Sequence, residues 1–368
     1  MRRGASISHQ EAGERLLQES ANLADKITEK QYLRQPDLLE RFGENGKMRT
    51  KQDSEYSLNY LAESALVQSP GLFTHYIAWL KVLLEGYKVS PEDLAINLNL
   101  IKETLEEEFD HPSKSLLLEY LEMGIYRTTH LESQAGYINE SMPYGDAAQS
   151  YLQCLLENKR KEAFEIIEAQ LEAGVTIRDI YRYIFQPTQY EIGRLWQCHR
   201  ISVGQEHFCT AATQSFMSRL YSLWLNHTGQ DKKLVATCVG SEQHEIGLRM
   251  LTDVFEMEGW DTHYLGANVP NGSVIEAIER HQGDVVAISV TMTYHLHLAK
   301  ELIHLIRHHP ATAHVKIMVG GYPFNIDQEL WKTIGADGYA PGADEAVAVA
   351  EQLLAQPATC NQLDMVRD

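Results

Sequence analysis

Glu242, His244 and Gly247 are the residues of this chain whose types and spacing best suit chemistry. They lie in the run Ser241-Glu242-Gln243-His244-Glu245-Ile246-Gly247, directly after the apolar stretch Leu234-Val235-Ala236-Thr237-Cys238-Val239-Gly240. The stretch predicts a buried parallel strand, and the run predicts the loop and first turn of the next helix. In an open α/β sheet, ligands bind outside the carboxyl ends of the strands. A histidine delivered there by a short loop can present one ring nitrogen to a ligand. A carboxylate two residues earlier can accept the other ring N–H, which fixes the tautomer and raises ligand basicity. Gly247 omits a side chain where a bulky group must lie close to the backbone.

Further candidates end the later apolar runs: Ser289-Val290-Thr291, Gly320-Gly321 and Gly338-Tyr339-Ala340. All would sit at carboxyl ends of strands, as one crevice requires. Upstream, nine residues separate Trp196 from the pair Glu206-His207. If Trp196 ends one helix and Glu206-His207 lies one turn into the next, both can face one cavity.

The loop resembles the Asp-x-His-x-x-Gly signature of cobalamin-binding domains, with Glu242 in the Asp position. The resemblance implies that His244 is the lower cobalt ligand, replacing the dimethylbenzimidazole base, and that the displaced nucleotide tail enters the sheet. It implies that Ser289 and Thr291 contact this tail, that Gly320 and Gly321 let it pass the backbone, and that Tyr339 closes the last turn of the crevice. The Trp-x9-Glu-His spacing resembles the CarH-type cobalamin photoreceptors, in which a four-helix bundle caps the upper face of adenosylcobalamin. That resemblance implies adenosylcobalamin as cofactor, Trp196 packed over the adenosyl group, and Glu206 and His207 lining the same pocket. Gln197 stands where the light-sensing repressors carry a histidine, which puts a bis-histidine light state in doubt. No winged-helix pattern precedes the bundle, so direct operator binding is not expected.

These residues need a scaffold, and the likeness spans about residues 147–355. From 232 onward, apolar runs at 234–240, 285–290 and 315–319, with weaker ones at 261–265 and 337–340, alternate with amphipathic helices, ending in a helix near 342–355 and a loose tail. The alternation predicts a doubly wound parallel sheet of Rossmann or flavodoxin-like type, here a domain over 230–368. Helices at 147–157, 160–173, 176–196 and 202–225 predict a four-helix bundle cap over 147–229. Residues 1–146 read as an all-helical signalling or interaction domain. Its helices are expected near 10–30, 51–67, 71–87, 91–109 and 113–124, with a loop at Gly43–Lys47 and a polar linker at 133–146. Ser69-Pro70 and Ser90-Pro91 are helix-start signals.

The formal net charge of −19 argues against a large electrostatic footprint on DNA or RNA. No apolar run reaches membrane-span length. The five cysteines lack metal-ligand spacing and read as reduced thiols, which with the absence of a secretory pattern predicts a cytoplasmic protein. His295 and His297 fall near the crevice. His304 and His308 have the spacing of a metal pair but no third ligand, so a solvated helix face is expected. His75 and Trp79 share one helix face, which helix packing explains.

The leading expectation is a non-enzymatic light sensor or regulator that uses adenosylcobalamin and signals through a protein partner or a homo-oligomer. The alternatives are a corrinoid carrier of a methyltransferase system, which would tie the chain to enzymatic methyl transfer, and a light-independent cobalamin sensor or storage protein.

Overall fold

The computed structural model describes residues 2–130, 135–139, 141–224 and 231–355. Positions 133, 134 and 140 of the expected linker, the helix end at 225, the boundary near 229–230 and the tail after 355 with Cys360 lie outside the described residues. The chain divides into two compact units, Met1–Leu220 and Tyr221–Asp368.

The first unit is helical. It begins with α1 (Arg2–Arg34), α2 (Asp37–Leu66), α3 (Pro70–Gly86), α4 (Pro91–Glu108) and α5 (Lys114–Thr129). Their apolar faces meet in a core that includes Leu16, Ile27, Leu58, Leu61, Phe73, Ile77, Ile101, Leu117 and Leu121, all fully buried. The expected loop at Gly43–Lys47 is absent. Helical backbone resumes directly after Gly43, which alone departs from it at φ 63°, ψ −168° and kinks α2 between two helical segments. Glycine takes that conformation without a Cβ penalty, so the break signal produced a bend instead of a stop.

The helix starts at Pro70 and Pro91 fall where the Ser-Pro pairs predict them. At the second, Ser90 and Asp93 form a reciprocal capping box. Asp93 also accepts from Arg41 Nη2 at 2.8 Å and Gln35 Nε2 at 2.7 Å, so one buried carboxylate ties α2 and the α1–α2 connection to α4.

The bundle follows: α6 (Gly145–Leu156), α7 (Arg160–Glu172), α8 (Ile177–Ile180), a π-helical turn (Tyr181–Phe185), α9 (Gln186–Gln197) and α10 (Val203–Tyr221). The single helix expected over 176–196 is thus interrupted by one wider turn, which sequence periodicity does not distinguish from regular helix. Tyr151, Ile184, Phe185, Phe216 and Met217 fill its core.

The second unit alternates strand and helix: β1 (Lys233–Cys238), α11 (Ile246–Met257), β2 (Asp261–Gly266), α12 (Asn271–His281), β3 (Val285–Ser289), α13 (Leu296–His308), β4 (Lys316–Gly320), α14 (Tyr322–Ile326), α15 (Leu330–Ile334), β5 (Gly338–Tyr339) and α16 (Ala343–Ala355). The strands are parallel in the order β2-β1-β3-β4-β5. The central strands β1, β3 and β4 are buried on both faces and read as the continuous apolar runs seen in the sequence. The order reverses direction between β1 and β3, and that switch point is where such sheets open a ligand crevice. The fold class read from the sequence therefore stands.

Candidate functional site

The loop from β1 to α11 carries Glu242 and His244 to the switch point. It is pinned from the β2–α12 side. Ser241 N donates to Asn268 Oδ1 at 2.8 Å, and Asn268 N donates back to the Glu242 carbonyl at 3.0 Å. Glu245 Oε2 accepts from Tyr264 Oη at 2.9 Å and from Ala267 N at 3.1 Å.

The Glu242 side chain is fully buried, whereas that of His244 is 58% exposed. Glu242 Oε1 accepts His244 Nδ1 at 2.5 Å and the His244 backbone N–H at 3.1 Å. A carboxylate can only accept, so Nδ1 carries the proton and Nε2 carries the lone pair. Burial alone would raise the Glu242 pKa, but hydrogen bonds from His244, His295 and the Met292 N–H outweigh it and hold the carboxyl ionised, well below its usual range. The result is an exposed imidazole with a fixed tautomer and a charged carboxylate behind it, the arrangement typical of metal-ligating histidines.

The other strand ends form the rest of the crevice. Cys238, Ser289 and Gly320 are aligned across β1, β3 and β4, and Val319 pairs with Tyr339. Gly321 has φ +110°, and a Cβ there would stand 1.9 Å from the Val290 carbonyl oxygen. A Cβ on Gly247 would meet no protein atom within 4 Å. Tyr339 Oη donates to Asn325 Oδ1 at 2.7 Å. Thr291 serves through its backbone: its N–H reaches Glu242 Oε2 at 2.9 Å. The Cys238 thiol is buried beside the loop, and burial pushes its pKa up to about 12, so it is not a thiolate at neutral pH.

In the first unit, Trp196 ends α9 and lies against Trp79 of α3, with ring centroids 6.3 Å apart. Gln197 is buried and donates its amide N–H to the Trp79 carbonyl at 2.9 Å. His199 Nε2 lies 3.1 Å from the Leu83 carbonyl. Glu206 Oε1 lies 3.1 Å from Thr210 Oγ1, and Glu206 Oε2 lies 3.3 Å from Nε2 of the exposed His207. Among the described residues, no group of three or more His, Cys, Asp or Glu is arranged to hold a metal ion, and His304 and His308 lie side by side on one helix face with their rings tilted by 35°.

Sequence reasoning missed Asn268, Met292 and the hydrogen-bonding role of His295. Backbone donors leave no residue-type signal, and His295 lies 53 residues from Glu242.

Two family models, each described as a B12 binding domain, match residues 232–348 and 147–221. A dimethylamine corrinoid protein of Methanosarcina acetivorans is 35% identical over 34% of this chain and 60% of its own length. A dimethylamine corrinoid protein of Methanosarcina mazei is 32% identical over 33% of this chain and 72% of its own length. This chain belongs to the B12-binding corrinoid proteins. The monomethylamine corrinoid protein structure of Methanosarcina barkeri matches with a TM-score of 0.51 at 22% identity, over 57% of this chain and all of that one, and supports the fold. The chain spans little more than half the length of several curated relatives.

The CarH-type photoreceptor reading is overturned by these relatives, and with it the leading expectation of a light sensor. The physical reason is that Trp-x9-Glu-His reports two bundle helices joined by a short turn, which does not by itself select light sensing. A corrinoid is supported as the cofactor, and its adenosyl form is not. The residues present fit a corrinoid, since the exposed His244 backed by a buried carboxylate is a suitable nitrogen donor for cobalt. No helix among the described residues is long and apolar enough to cross a membrane.

Proposed function

We propose that the chain is a corrinoid carrier of a methyl-transfer system, with a methylated amine as the methyl source. The observation that carries this reading is the Glu242–His244 pair at the switch point of a sheet whose relatives are dimethylamine corrinoid proteins. A bound corrinoid supplies a cobalt that can accept and release a methyl group. The chain's residues hold and tune it. His244 would ligate through Nε2, and Glu242 would keep the Nδ1 proton in place. Gly247, Ser289, Thr291, Gly320, Gly321 and Tyr339 would form the bed of the nucleotide tail.

From the bundle, Trp196, Glu206 and His207 are proposed cofactor contacts, with Gln197 acting through its bond to α3. Division of the helical unit into an interaction domain over 1–146 and a cap over 147–229 belongs to the same proposal. So do a methyltransferase as the protein partner and a cytoplasmic location. Methyl transfer is an enzymatic system in which this chain carries the group and a partner activates the amine.

The test is reconstitution with hydroxocobalamin and reduction to Co(I), followed by dimethylamine and a dimethylamine:corrinoid methyltransferase. Loss of the Co(I) absorption that depends on both additions is the expected result. Indifference to every methylated amine, with its cognate methyltransferase present, would contradict the reading.

A further inference from the structure

One face of α3 holds the end of α9 that carries Trp196. Trp79, Leu83, Gly86 and Tyr87 follow the spacing that lines up residues along one side of a helix. The Trp79 and Trp196 rings are tilted by 34° at a centroid distance of 6.3 Å. Gln197 donates its amide N–H to the Trp79 carbonyl at 2.9 Å. His199 Nε2 donates to the Leu83 carbonyl at 3.1 Å, since a carbonyl only accepts. Leu83 belongs to the last turn of α3, whose carbonyls a helix leaves open, and the Tyr87 N–H turns to the Leu84 carbonyl instead. His199 therefore caps α3. Its ring lies edge-on to Tyr87 at 4.0 Å and fills the space that a Cβ on Gly86 would need. His199 itself is left-handed, at φ 56°, a conformation that persists where the surroundings fix it. Both family models begin at residue 147 or later, so α3 lies outside the matched ranges.

We propose that α3 is a positioning arm for the face of the corrinoid turned away from His244: Trp79 holds Trp196 in place beforehand, and the grip on Gln197 and His199 fixes the turn from α9 to α10 behind it. The proposal rests on the reading above that Trp196 contacts the bound corrinoid. Ordering one large side chain on binding weakens its contact by roughly two- to twelvefold. Packing against Trp79 removes that cost, because the ring is already held. Trp196 is only half-buried, so part of the side chain remains open to a ligand. The amino-terminal helices thereby set how readily small molecules, a methyl donor among them, reach the cobalt.

The experiment loads the full chain with hydroxocobalamin and follows, by absorbance, the rate at which azide replaces the water on cobalt. Trp196→Ala gives the rate with the contact removed. Trp79→Ala removes the support, and Trp79→Phe keeps an aromatic ring against Trp196. Gly86→Ala leaves every bonding partner in place and wedges His199 away from α3. Alanine favours helix over glycine, so α3 itself is not weakened, and this variant carries the test if Trp79→Ala does not fold. The nitrogen hyperfine coupling of the Co(II) form is recorded alongside.

Trp79→Ala and Gly86→Ala are expected to speed azide entry roughly two- to twelvefold, with Trp79→Phe near wild type and the nitrogen coupling unchanged throughout. Wild-type rates in both Trp79→Ala and Gly86→Ala, beside a faster Trp196→Ala, overturn the proposal alone. Equal acceleration in Trp79→Phe and Trp79→Ala also overturns it, because an aromatic ring at that position would then hold nothing. So does a nitrogen coupling that changes in Trp79→Ala, since the effect would then reach the cobalt from the His244 side. If Trp196→Ala itself matches wild type, the cofactor contact assigned to Trp196 falls, and the proposal with it. A wild-type chain that retains no corrinoid overturns the carrier reading and the proposal together.

Discussion

The side-chain amide of Gln197 donates to the backbone carbonyl of Trp79, joining the end of α9 to the middle of α3. Around this bond, Trp196 lies against Trp79, and His199 sits so close to Gly86 that a Cβ there would be 1.9 Å from the imidazole. The amino-terminal helices and the bundle are thereby stitched into one unit. Trp79→Ala should cost that unit about 2–3 kcal/mol. Gln197→Leu, which removes this bond while the Trp79 carbonyl keeps its helical partner, should cost about 0.5–1.5 kcal/mol. Urea denaturation followed by far-ultraviolet circular dichroism measures both. Variants with unchanged midpoints would show that this contact contributes nothing.

Asp93 anchors the amino-terminal helices. Burial would raise its pKa, but bonds from Arg41, Ser90 and Gln35 hold it at about 2. Asp93→Ala removes the N3 half of the α4 capping box and leaves Arg41 without this partner. A loss of about 3 kcal/mol is expected. A loss below about 1 kcal/mol in the same denaturation assay would contradict the assigned role.

Asp53 should give the helical unit an unusual pH dependence. Burial raises its pKa from 3.8 to about 6, against the opposing charge of Arg49. A carboxyl whose folded pKa is raised stabilises the fold when protonated. That contribution is complete below the unfolded value and is lost as pH rises through about 6. Stability should therefore fall by roughly 2 kcal/mol between about pH 4 and 6 on account of this group. Asp53→Asn should flatten that part of the profile. A variant whose pH profile matches wild type would refute the assignment.

Two glycines of the crevice separate folding from binding. Gly321 combines φ +110° with the close Val290 carbonyl, so Gly321→Ala should destabilise the sheet unit by about 3 kcal/mol or more. Gly247 has open space at its Cβ position and lies in the first turn of α11. Gly247→Ala should leave thermal stability unchanged or slightly raised and weaken corrinoid binding. Normal binding by the folded Gly247→Ala protein would remove this glycine from the cofactor bed.

The sheet was legible because its three central strands, β1, β3 and β4, are continuous apolar runs and amphipathic helices separate all five, whereas β2 and β5 carry only weak strand signals. The Glu242–His244 pair was legible because two residues of one loop carry it. Its other supports were not. Met292 contributes a backbone N–H, which any residue type supplies, and His295 meets Glu242 only through the pairing of β1 with β3. Gly43 misled in the opposite direction, since a glycine that permits a bend has the same letter as one that ends a helix. The function misread came from Trp196 and Glu206-His207, whose spacing records helix–turn–helix geometry more than it records chemistry.

The central claim is that His244 ligates the cobalt of a bound corrinoid. The direct measurement is the electron paramagnetic resonance spectrum of the Co(II)-loaded chain, prepared with ordinary histidine and with histidine labelled with heavy nitrogen. The account predicts nitrogen splitting whose multiplicity changes on labelling and which is lost in His244→Ala. Splitting that is unaffected by the label, or that survives in His244→Ala, would contradict it.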